Sequence, residues 1–179
     1  IISAYQALSE ASSLTMAFEK MECFRLLCAV REGPMGVEGV NDLAETLLKQ
    51  SGQTTGTANL YPGKPIIIRQ NHYRMRLFNG DAGLLWEDPD DGGQLKAWFR
   101  DADGTLVSHS IARLPAYDSA YAITVHQAQG SEFKRVLLLL PEDESRVLSR
   151  ELIYTGITRA REMLSLCYDE KILAFAIAR

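Results

Sequence analysis

The stretch that decides the fold is YAITVHQAQGSEFKRVLLLL, from Tyr121 to Leu140, followed after an acidic loop by RELIYTGITRAR, from Arg150 to Arg161. An apolar segment at 122–125 leads into a polar turn with Gly130 at its bend, and a second apolar segment then ends before a proline. Short apolar runs separated by a polar turn predict two buried strands joined by a loop.

A helix is predicted to begin at about Arg150. The apolar positions recur at helical spacing and place one set of residues on one side of this helix: Leu152, Ile153, Gly156, Ile157 and Ala160. Arg159 falls at the border of that face, so we expect it near packed protein at the edge of a lobe. Arg161 should point away from the face.

Upstream, three further elements are predicted. One amphipathic helix of about four turns is indicated by Leu8, Ala11, Leu14, Ala17, Phe18 and Met21. FRLLCAV, at 24–30, predicts a buried strand, and Arg31 then stands at its carboxyl end, where open α/β sheets bind ligands. A solvated loop arginine is the alternative for Arg31. Asn41 is expected to cap a helix over 42–49.

The middle of the chain has a different character. SGQTTGTAN, at 51–59, predicts a mobile loop and a domain boundary. Several β-rich segments separated by turns then predict a small barrel of about five strands: PIIIRQN, YRMRLF, AGLLWED, LKAWFRD and TLVSHSIARL. We therefore expect an α/β domain formed by 1–60 and 116–179, with a β-barrel inserted at 61–115.

Basic residues run along the first two segments of this predicted barrel: Lys64, Arg69, His72, Arg74 and Arg76. They could meet a nucleic-acid backbone, although a solvated strand face explains them equally. After the deciding stretch, MLSLCY at 163–168 predicts another strand, and Asp169 is expected to cap a final helix.

Composition limits the possible functions. The 179 residues are 46% hydrophobic and 23% charged, as in an ordinary globular protein, and the net charge of −4 argues against a free-standing nucleic-acid binder. Cys23, Cys28 and Cys167 lie in apolar runs without zinc-ligand spacing, so buried thiols in a reducing cytosol are expected and a metal site is not. The sequence contains neither a membrane span nor a signal peptide pattern. Since it begins with Ile1, we expect a piece of a longer, cytoplasmic protein.

The deciding stretch contains residues suited to only one side of a nucleotide site. The sequence contains no Gly-rich Walker loop and no acidic pair after a strand for magnesium. A glycine loop, a glutamate and an arginine are nonetheless parts of a nucleotide site contributed from one side. This combination predicts a hydrolase divided between two lobes.

Two motifs carry a resemblance to a known family. TVHQAQGSEF resembles motif V of superfamily-one helicases, and ELIYTGITRAR resembles motif VI, in the family's order and spacing. Gln129 is typical of the RecD-like branch, which includes the alpha subunit of exodeoxyribonuclease V. FRLLCAVREGPMGVEGVN is similar to that branch around motif IV, and YPGKPIII with LFNGDAG is similar to the start of its inserted Src-homology-like barrel.

The resemblance implies roles for four residues of the motif V loop. Thr124 and His126 match residues that touch the phosphates of single-stranded DNA. Gly130 and Glu132 match residues that face the nucleotide.

The resemblance also implies two catalytic arginines. Arg159 matches the motif VI arginine finger on the γ-phosphate. Arg31 lies where the looser motif IV places a second basic residue.

The implied fold is the second RecA-like motor lobe of a P-loop NTPase. Motifs I, Ia, II and III are missing, so ATP and Mg²⁺ are expected to bind mainly to an amino-terminal lobe, and the isolated chain should be inactive. The family's activity is ATP-driven DNA unwinding with RecB and RecC in double-strand-break repair. The alternatives are a fragment of a free-standing RecD-like helicase and a non-catalytic module that binds DNA or protein.

Overall fold

The computed structural model describes residues 2–52 and 60–179. In chain order the helices are α1 (Ile2–Ser9), α2 (Leu14–Cys23), α3 (Val37–Gln50), α4 (Arg150–Ile157) and α5 (Glu170–Ile177). The strands are β1 (Phe24–Cys28), β2 (Pro65–Ile68), β3 (Ala82–Asp88), β4 (Gln94–Arg100), β5 (Leu106–His109), β6 (Tyr117–Ser119), β7 (Ala122–Thr124), β8 (Phe133–Leu139) and β9 (Ala160–Cys167).

The chain forms two compact units. The parallel-sheet unit comprises Met21–Thr46 and Tyr121–Arg179, and the antiparallel-sheet unit comprises Ile1–Lys20 and Leu47–Ala120. These bounds differ from the sequence-based division, because α1, most of α2 and the end of α3 group with the antiparallel sheet. The predicted loop at 51–59 lies almost entirely outside the described residues.

The parallel-sheet unit confirms the expected α/β architecture with a parallel sheet. Its strand order is β7-β1-β8-β9, and all pairs are parallel. The central strand β1 is buried over most of its length, and β8 is mostly buried from Val136 to its end. One core cluster joins β1, β7 and β8 to α3: Leu26, Cys28, Val37, Val40, Ala122 and Leu139.

Helix α4 lies close to this sheet. A Cβ atom at Gly156 would lie 2.9 Å from the Leu138 side chain of β8, so only glycine fits without displacing that side chain. The helix begins at the cap residue Ser149, whose hydroxyl accepts the backbone N–H of Leu152. Asp169 caps α5 by accepting from Lys171, which confirms the sequence-based expectation.

Two predictions about the helices of this unit are wrong. Asn41 does not cap a helix, because α3 already begins at Val37 and Asn41 is buried in its interior. Helix α4 ends at Ile157, so Arg159 lies in the turn before β9 instead of on the helix. Ile157, which was expected on the apolar face, is exposed.

The predicted amino-terminal helix is also wrong, since it is divided into α1 and α2. The Ser9 hydroxyl donates to Gln6 O, and the Ser13 hydroxyl accepts from Met16 N. Serine side chains that bond nearby backbone groups favour helix ends over helix interiors. The apolar spacing therefore continues across a break that these serines stabilise.

The antiparallel-sheet unit contains a five-stranded sheet of order β5-β4-β3-β2-β6. Its apolar cluster consists of Ile66, Ile68, Leu77, Leu85, Ala97 and Phe99. YRMRLF is not a strand: residues 73–75 form a 3₁₀ turn, and Arg76 is left-handed with φ 53°. The sheet has five strands, as expected, but β6, which was not predicted from the sequence, takes the place of YRMRLF in that count.

The cysteines confirm the sequence-based expectation in part. All three are free thiols, and Cys28 is buried, but Cys23 is only half-buried and Cys167 is exposed on β9. Within the described ranges, no helix has the length and apolar character needed to cross a bilayer.

Candidate functional site

The strands of the parallel-sheet unit place the candidate residues at two opposite edges of one sheet. Since β1, β7, β8 and β9 run in the same direction, residues after β1 and β7 lie at the carboxyl edge. Residues just before β8 and β9 lie at the amino edge. The candidates therefore separate into two groups.

The carboxyl edge holds Arg31, Thr124 and His126 around one cleft of about 700 Å³. Thr124 is the last residue of β7 and pairs in register with Cys28, the last residue of β1. His126 is exposed in the following turn. Arg31 follows β1, and its Nε lies 3.0 Å from the Glu38 carboxylate.

Thr124 is engaged by a neighbouring side chain. Its N–H and its hydroxyl both donate to Oε1 of Gln127, at 3.0 and 3.1 Å, and its hydroxyl accepts from Gln127 N at 3.1 Å. The single hydroxyl proton is therefore already given to the amide. In this arrangement Thr124 shapes the turn that presents His126, and Gln127 is a site residue that the sequence reasoning did not assign.

The charge of the cleft is mainly negative. The basic groups Arg31 and His126 are outnumbered by the carboxylates that line the same cleft: Glu32, Glu142, Asp143 and Glu144. A phosphate backbone is attracted to the first pair and repelled by the acidic residues, so any binding here should be weak and sensitive to salt.

The amino edge is organised by Arg159. Its guanidinium donates to three oxygens: Nε to Thr155 O at 3.1 Å, Nη1 to Ser131 O at 3.0 Å, and Nη2 to the Thr158 hydroxyl at 3.2 Å. Its own carbonyl accepts from Phe133 N at 2.8 Å. Arg159 thus joins the end of α4 to the loop that enters β8.

Gly130 and Glu132 belong to the same loop. Gly130 has φ +81°, a conformation that favours glycine, and the space next to its Cα is open. The Glu132 carboxylate accepts from Arg161 Nε at 2.8 Å, and both side chains are exposed. Arg161 is therefore directed to Glu132, which the sequence reasoning did not anticipate.

The two candidate catalytic arginines do not come together. Arg31 follows the carboxyl end of β1, whereas Arg159 precedes β9 at the amino edge. A five-residue strand such as β1 separates these edges by roughly 15 Å. Within this sheet, Arg31 shares a cleft with His126 and not with Arg159.

Asn41 of α3 holds the start of β7, the strand that leads to the carboxyl edge. Its Nδ2 donates to Ala122 O at 3.2 Å, and its Oδ1 accepts from Ala122 N at 2.8 Å. The side chain thereby pairs with the outer backbone groups of β7, much as another strand would. These two bonds hold the strand that leads into Thr124.

Comparisons with known proteins identify the family. Residues 119–167 match the UvrD-like helicase C-terminal domain. The chain is 36% identical over 174 residues to the RecBCD enzyme subunit RecD of Haemophilus influenzae, covering 96% of this chain and 25% of that protein. The chain belongs to the RecD family. The resemblance inferred from its sequence is confirmed.

Other RecD relatives agree. The RecD subunit of Mycobacterium tuberculosis strain H37Rv is 36% identical over 174 residues, covering 97% of this chain and 29% of that protein. The ATP-dependent RecD2 DNA helicase of Deinococcus radiodurans is 34% identical over 140 residues, covering 77% of this chain and 19% of that protein. The chain thus spans about a quarter of the length of these RecD relatives and corresponds to their carboxy-terminal part.

Solved structures of Pif1 helicases are similar to the chain. One, from a study of DNA unwinding at forked double-stranded DNA, has a TM-score of 0.49 and 14% identity, covering 97% of this chain and 50% of that chain. A Bacteroides Pif1 in complex with ADP-AlF3 and single-stranded DNA has a TM-score of 0.47 and 15% identity, covering 97% of this chain and 48% of that chain.

Proposed function

We propose that this RecD-family chain is the second RecA-like motor lobe of an ATP-dependent DNA helicase, the alpha subunit of exodeoxyribonuclease V. The observation that carries the proposal is the set of hydrogen bonds made by Arg159. They connect Thr155 of the motif VI-like segment with Ser131 of the motif V-like segment at one sheet edge. The parent protein acts in the cytoplasm in double-strand-break repair and recombination. RecB and RecC are its partners, as the names of the RecBCD relatives suggest.

In this proposal Arg159 is the catalytic group that the lobe contributes to ATP hydrolysis. Three of its N–H groups are used within the chain, which leaves two of the five guanidinium donors for phosphate oxygens. A planar guanidinium held by its neighbours can donate in parallel to the charge that develops during phosphoryl transfer.

The remaining residues of this edge fit a phosphate-bearing ligand in part. Gly130 leaves open space beside its backbone, and Glu132 lies two residues further along the same loop. The Glu132 carboxylate must exchange Arg161 for a ribose hydroxyl if it contacts a nucleotide. ATP supplies the phosphoanhydride bond that is hydrolysed.

The chain's own residues do not fit magnesium. Among the described residues, no three His, Cys, Asp or Glu side chains come together in a group able to hold a metal ion. We therefore assign Mg²⁺, and most of the ATP contacts, to an amino-terminal lobe of the parent.

The carboxyl-edge cleft is the proposed contact for single-stranded DNA. His126 is exposed at its rim and Arg31 lies in its wall, so both can approach phosphates. Thr124 acts mainly by orienting this turn, because its hydroxyl bonds Gln127. This reassigns Arg31 from the nucleotide to the DNA.

The antiparallel sheet is proposed to be the Src-homology-like barrel of the family, inserted at 61–115 between the two parts of the motor lobe at 1–60 and 116–179. Four of the five antiparallel strands lie within 61–115 and support this assignment, and β6, Tyr117–Ser119, follows directly after that range. The grouping of α1 with the sheet indicates that the inserted domain packs with residues outside its own range.

One alternative function has some support, and a second has none. The RecD2 relative is described as an ATP-dependent DNA helicase, so a free-standing helicase is the alternative parent. A non-catalytic binding module has no physical need to combine Gly130, Glu132 and Arg159 at one edge.

The first test compares ATP hydrolysis by the isolated chain and by its full-length parent, with and without single-stranded DNA. We expect DNA-stimulated turnover by the parent and none above background by the chain, since half of the site is absent. Robust turnover by the purified chain would refute the divided site.

The second test concerns the cleft. We expect His126→Ala and Arg31→Ala to weaken binding of a labelled oligo-dT strand, measured by anisotropy across a salt series. Removal of a competing carboxylate, as in Glu144→Gln, should instead strengthen binding. If His126→Ala left the affinity unchanged, the DNA assignment of the cleft would be wrong.

A further inference from the structure

A small surface of the antiparallel-sheet unit combines exposed aromatic rings with arginines. Tyr73 is 75% exposed and Phe78 is 45% exposed, and their rings meet edge to face with centroids 6.1 Å apart. Arg74 and Arg76 lie between them in the sequence, and both are exposed. We call Tyr73, Arg74, Arg76 and Phe78 the aromatic-arginine patch.

The loop that carries this patch is firmly anchored. His72 and Leu77 form an antiparallel bridge, with His72 N donating to Leu77 O at 2.7 Å. Leu77 is buried in the core cluster, and Met75 packs against the same cluster. Because these residues point inward, the intervening residues of the patch are held outward.

The main chain at the centre of the patch is strained. Arg76 has φ 53° and ψ 36°, the left-handed conformation that residues other than glycine rarely adopt. Further bonds keep the loop in place: Phe78 N donates to the Asp81 carboxylate at 2.7 Å, and Asn79 N donates to Asn71 Oδ1 at 2.8 Å. Strain of this kind persists where the surroundings enforce it, commonly at functional surfaces.

The charge of the patch is positive and available. Within the described part of the chain, the guanidinium groups of Arg74 and Arg76 make no ion pair or hydrogen bond. The other three members of the basic run are already engaged: Lys64 is buried over the Tyr61 ring, Arg69 is paired with Asp118, and His72 Nδ1 accepts from Met75 N. The Asp81 carboxylate accepts from the backbone of Phe78.

We propose that the aromatic-arginine patch binds single-stranded nucleic acid by stacking bases on its rings. The proposal rests on the proposed function in that it names a further contact with the same DNA. Every base offers a flat face to an aromatic ring, while arginines beside the rings attract the phosphates. Binding is therefore expected without sequence preference.

Charge is the reason to prefer a nucleic acid to a protein partner. Two guanidinium groups that no described residue pairs, beside two exposed rings, complement a chain of stacked bases and phosphates. A purely apolar partner would leave these charges desolvated and unpaired, at a cost.

The test uses the whole chain and two probes, a short oligo-dT strand and a strand of the same length made of abasic nucleotides. Both probes carry the phosphates, but only oligo-dT can stack. We expect the wild-type chain to bind oligo-dT about fivefold or more tightly than the abasic strand, the effect of stacking one base. The double variant Tyr73→Ala/Phe78→Ala should remove this preference.

Two controls make the result specific. Tyr73→Phe keeps a ring and should keep the preference, and Tyr154→Ala, which removes a tyrosine 68% exposed on α4, should also keep it. Circular dichroism should show the native fold in all variants, because the replaced side chains are exposed.

The outcomes separate this proposal from the proposed function. His126→Ala with Arg31→Ala should weaken both probes equally and leave the base preference intact. If the cleft variants weaken binding and the patch variants do not, the cleft assignment stands and the patch proposal is overturned. An unchanged preference in the double variant would overturn it as well, and would be the result expected if the patch docks a protein.

Discussion

Replacing Asn41 with alanine should destabilise the parallel-sheet unit strongly. The substitution removes both bonds to Ala122 and leaves its N–H and C=O, which are fully buried, without the amide that satisfies them. Each buried group left unsatisfied costs about 1–3 kcal/mol. With two such groups, we expect a loss of about 2–6 kcal/mol in the free energy of unfolding.

The assay is thermal unfolding followed by two signals. In a protein of this size each kcal/mol lowers the melting temperature by about 2–4 °C, so a shift of roughly 4–24 °C is expected. Far-UV circular dichroism reports both units, whereas Trp86 and Trp98, the two tryptophans, lie in the antiparallel-sheet unit. The shift should therefore be larger by circular dichroism than by tryptophan emission.

A neighbouring position on α3 provides the matched control. Leu43 is 57% exposed, and Leu43→Ala should change the stability by less than about 0.5 kcal/mol. If Asn41→Ala melted within that same margin of the wild type, the reasoning that Asn41 completes the edge of β7 would be refuted.

Two further predictions concern titratable groups. A hydrogen bond from Lys96 holds the pKa of Asp88 below its ordinary value of 3.8. Ionised Asp88 therefore stabilises the fold above about pH 4. This contribution is lost as the pH falls through the lowered pKa. Asp88→Asn should consequently reduce the loss of folding stability at acid pH, which is measured by tryptophan emission over a pH series. An unchanged loss would contradict this. Burial raises the pKa of the Cys28 thiol to about 12, whereas Cys167 is exposed, so maleimide should label Cys167 in the native chain and Cys28 only after unfolding. Mass spectrometry of the labelled peptides checks the order, and equal labelling rates would show that β1 is not buried in solution.

Local patterns predicted the buried strands well. The runs that became β1 and β8 are short and apolar and are bounded by turn residues, so their identity depends on nothing distant. YRMRLF has similar local character, yet it forms a turn, because the bridge between His72 and Leu77 and the bonds of its neighbours decide its path. Propensity alone does not contain those contacts.

The errors at Asn41 and Arg159 have a common cause. Asn41 satisfies the local rule for a helix cap, but its actual partner, Ala122, is 81 residues away along the chain. Helical spacing continues past Ile157, yet Arg159 is drawn into the sheet region by bonds to Ser131 and Phe133. Both outcomes depend on tertiary contacts that a sequence window cannot show.

The candidate residues were found by motif, but their arrangement was not. That Arg31 and Arg159 lie at opposite edges follows from the direction of the strands, which becomes visible only in the paired sheet. Gln127 was missed because its role is to bond Thr124 and not to contact a ligand directly.

The measurement that tests the central claim most directly is ATP hydrolysis by the full-length parent carrying Arg159→Lys. Lysine keeps the positive charge but cannot reproduce the forked donation to Ser131, Thr158 and a phosphate. Arg161→Lys, which perturbs only the exposed ion pair with Glu132, is the matched control.

We expect Arg159→Lys to lower turnover by on the order of a thousandfold, with single-stranded DNA binding retained. Some stability should be lost as well, because three hydrogen bonds of the guanidinium are weakened, so turnover and melting temperature must be measured on the same preparation. Arg161→Lys should hydrolyse ATP at nearly the parental rate. If Arg159→Lys did so too, or lost activity only in step with its fold, Arg159 would be a structural residue and the assignment of this lobe to the ATP site would be wrong.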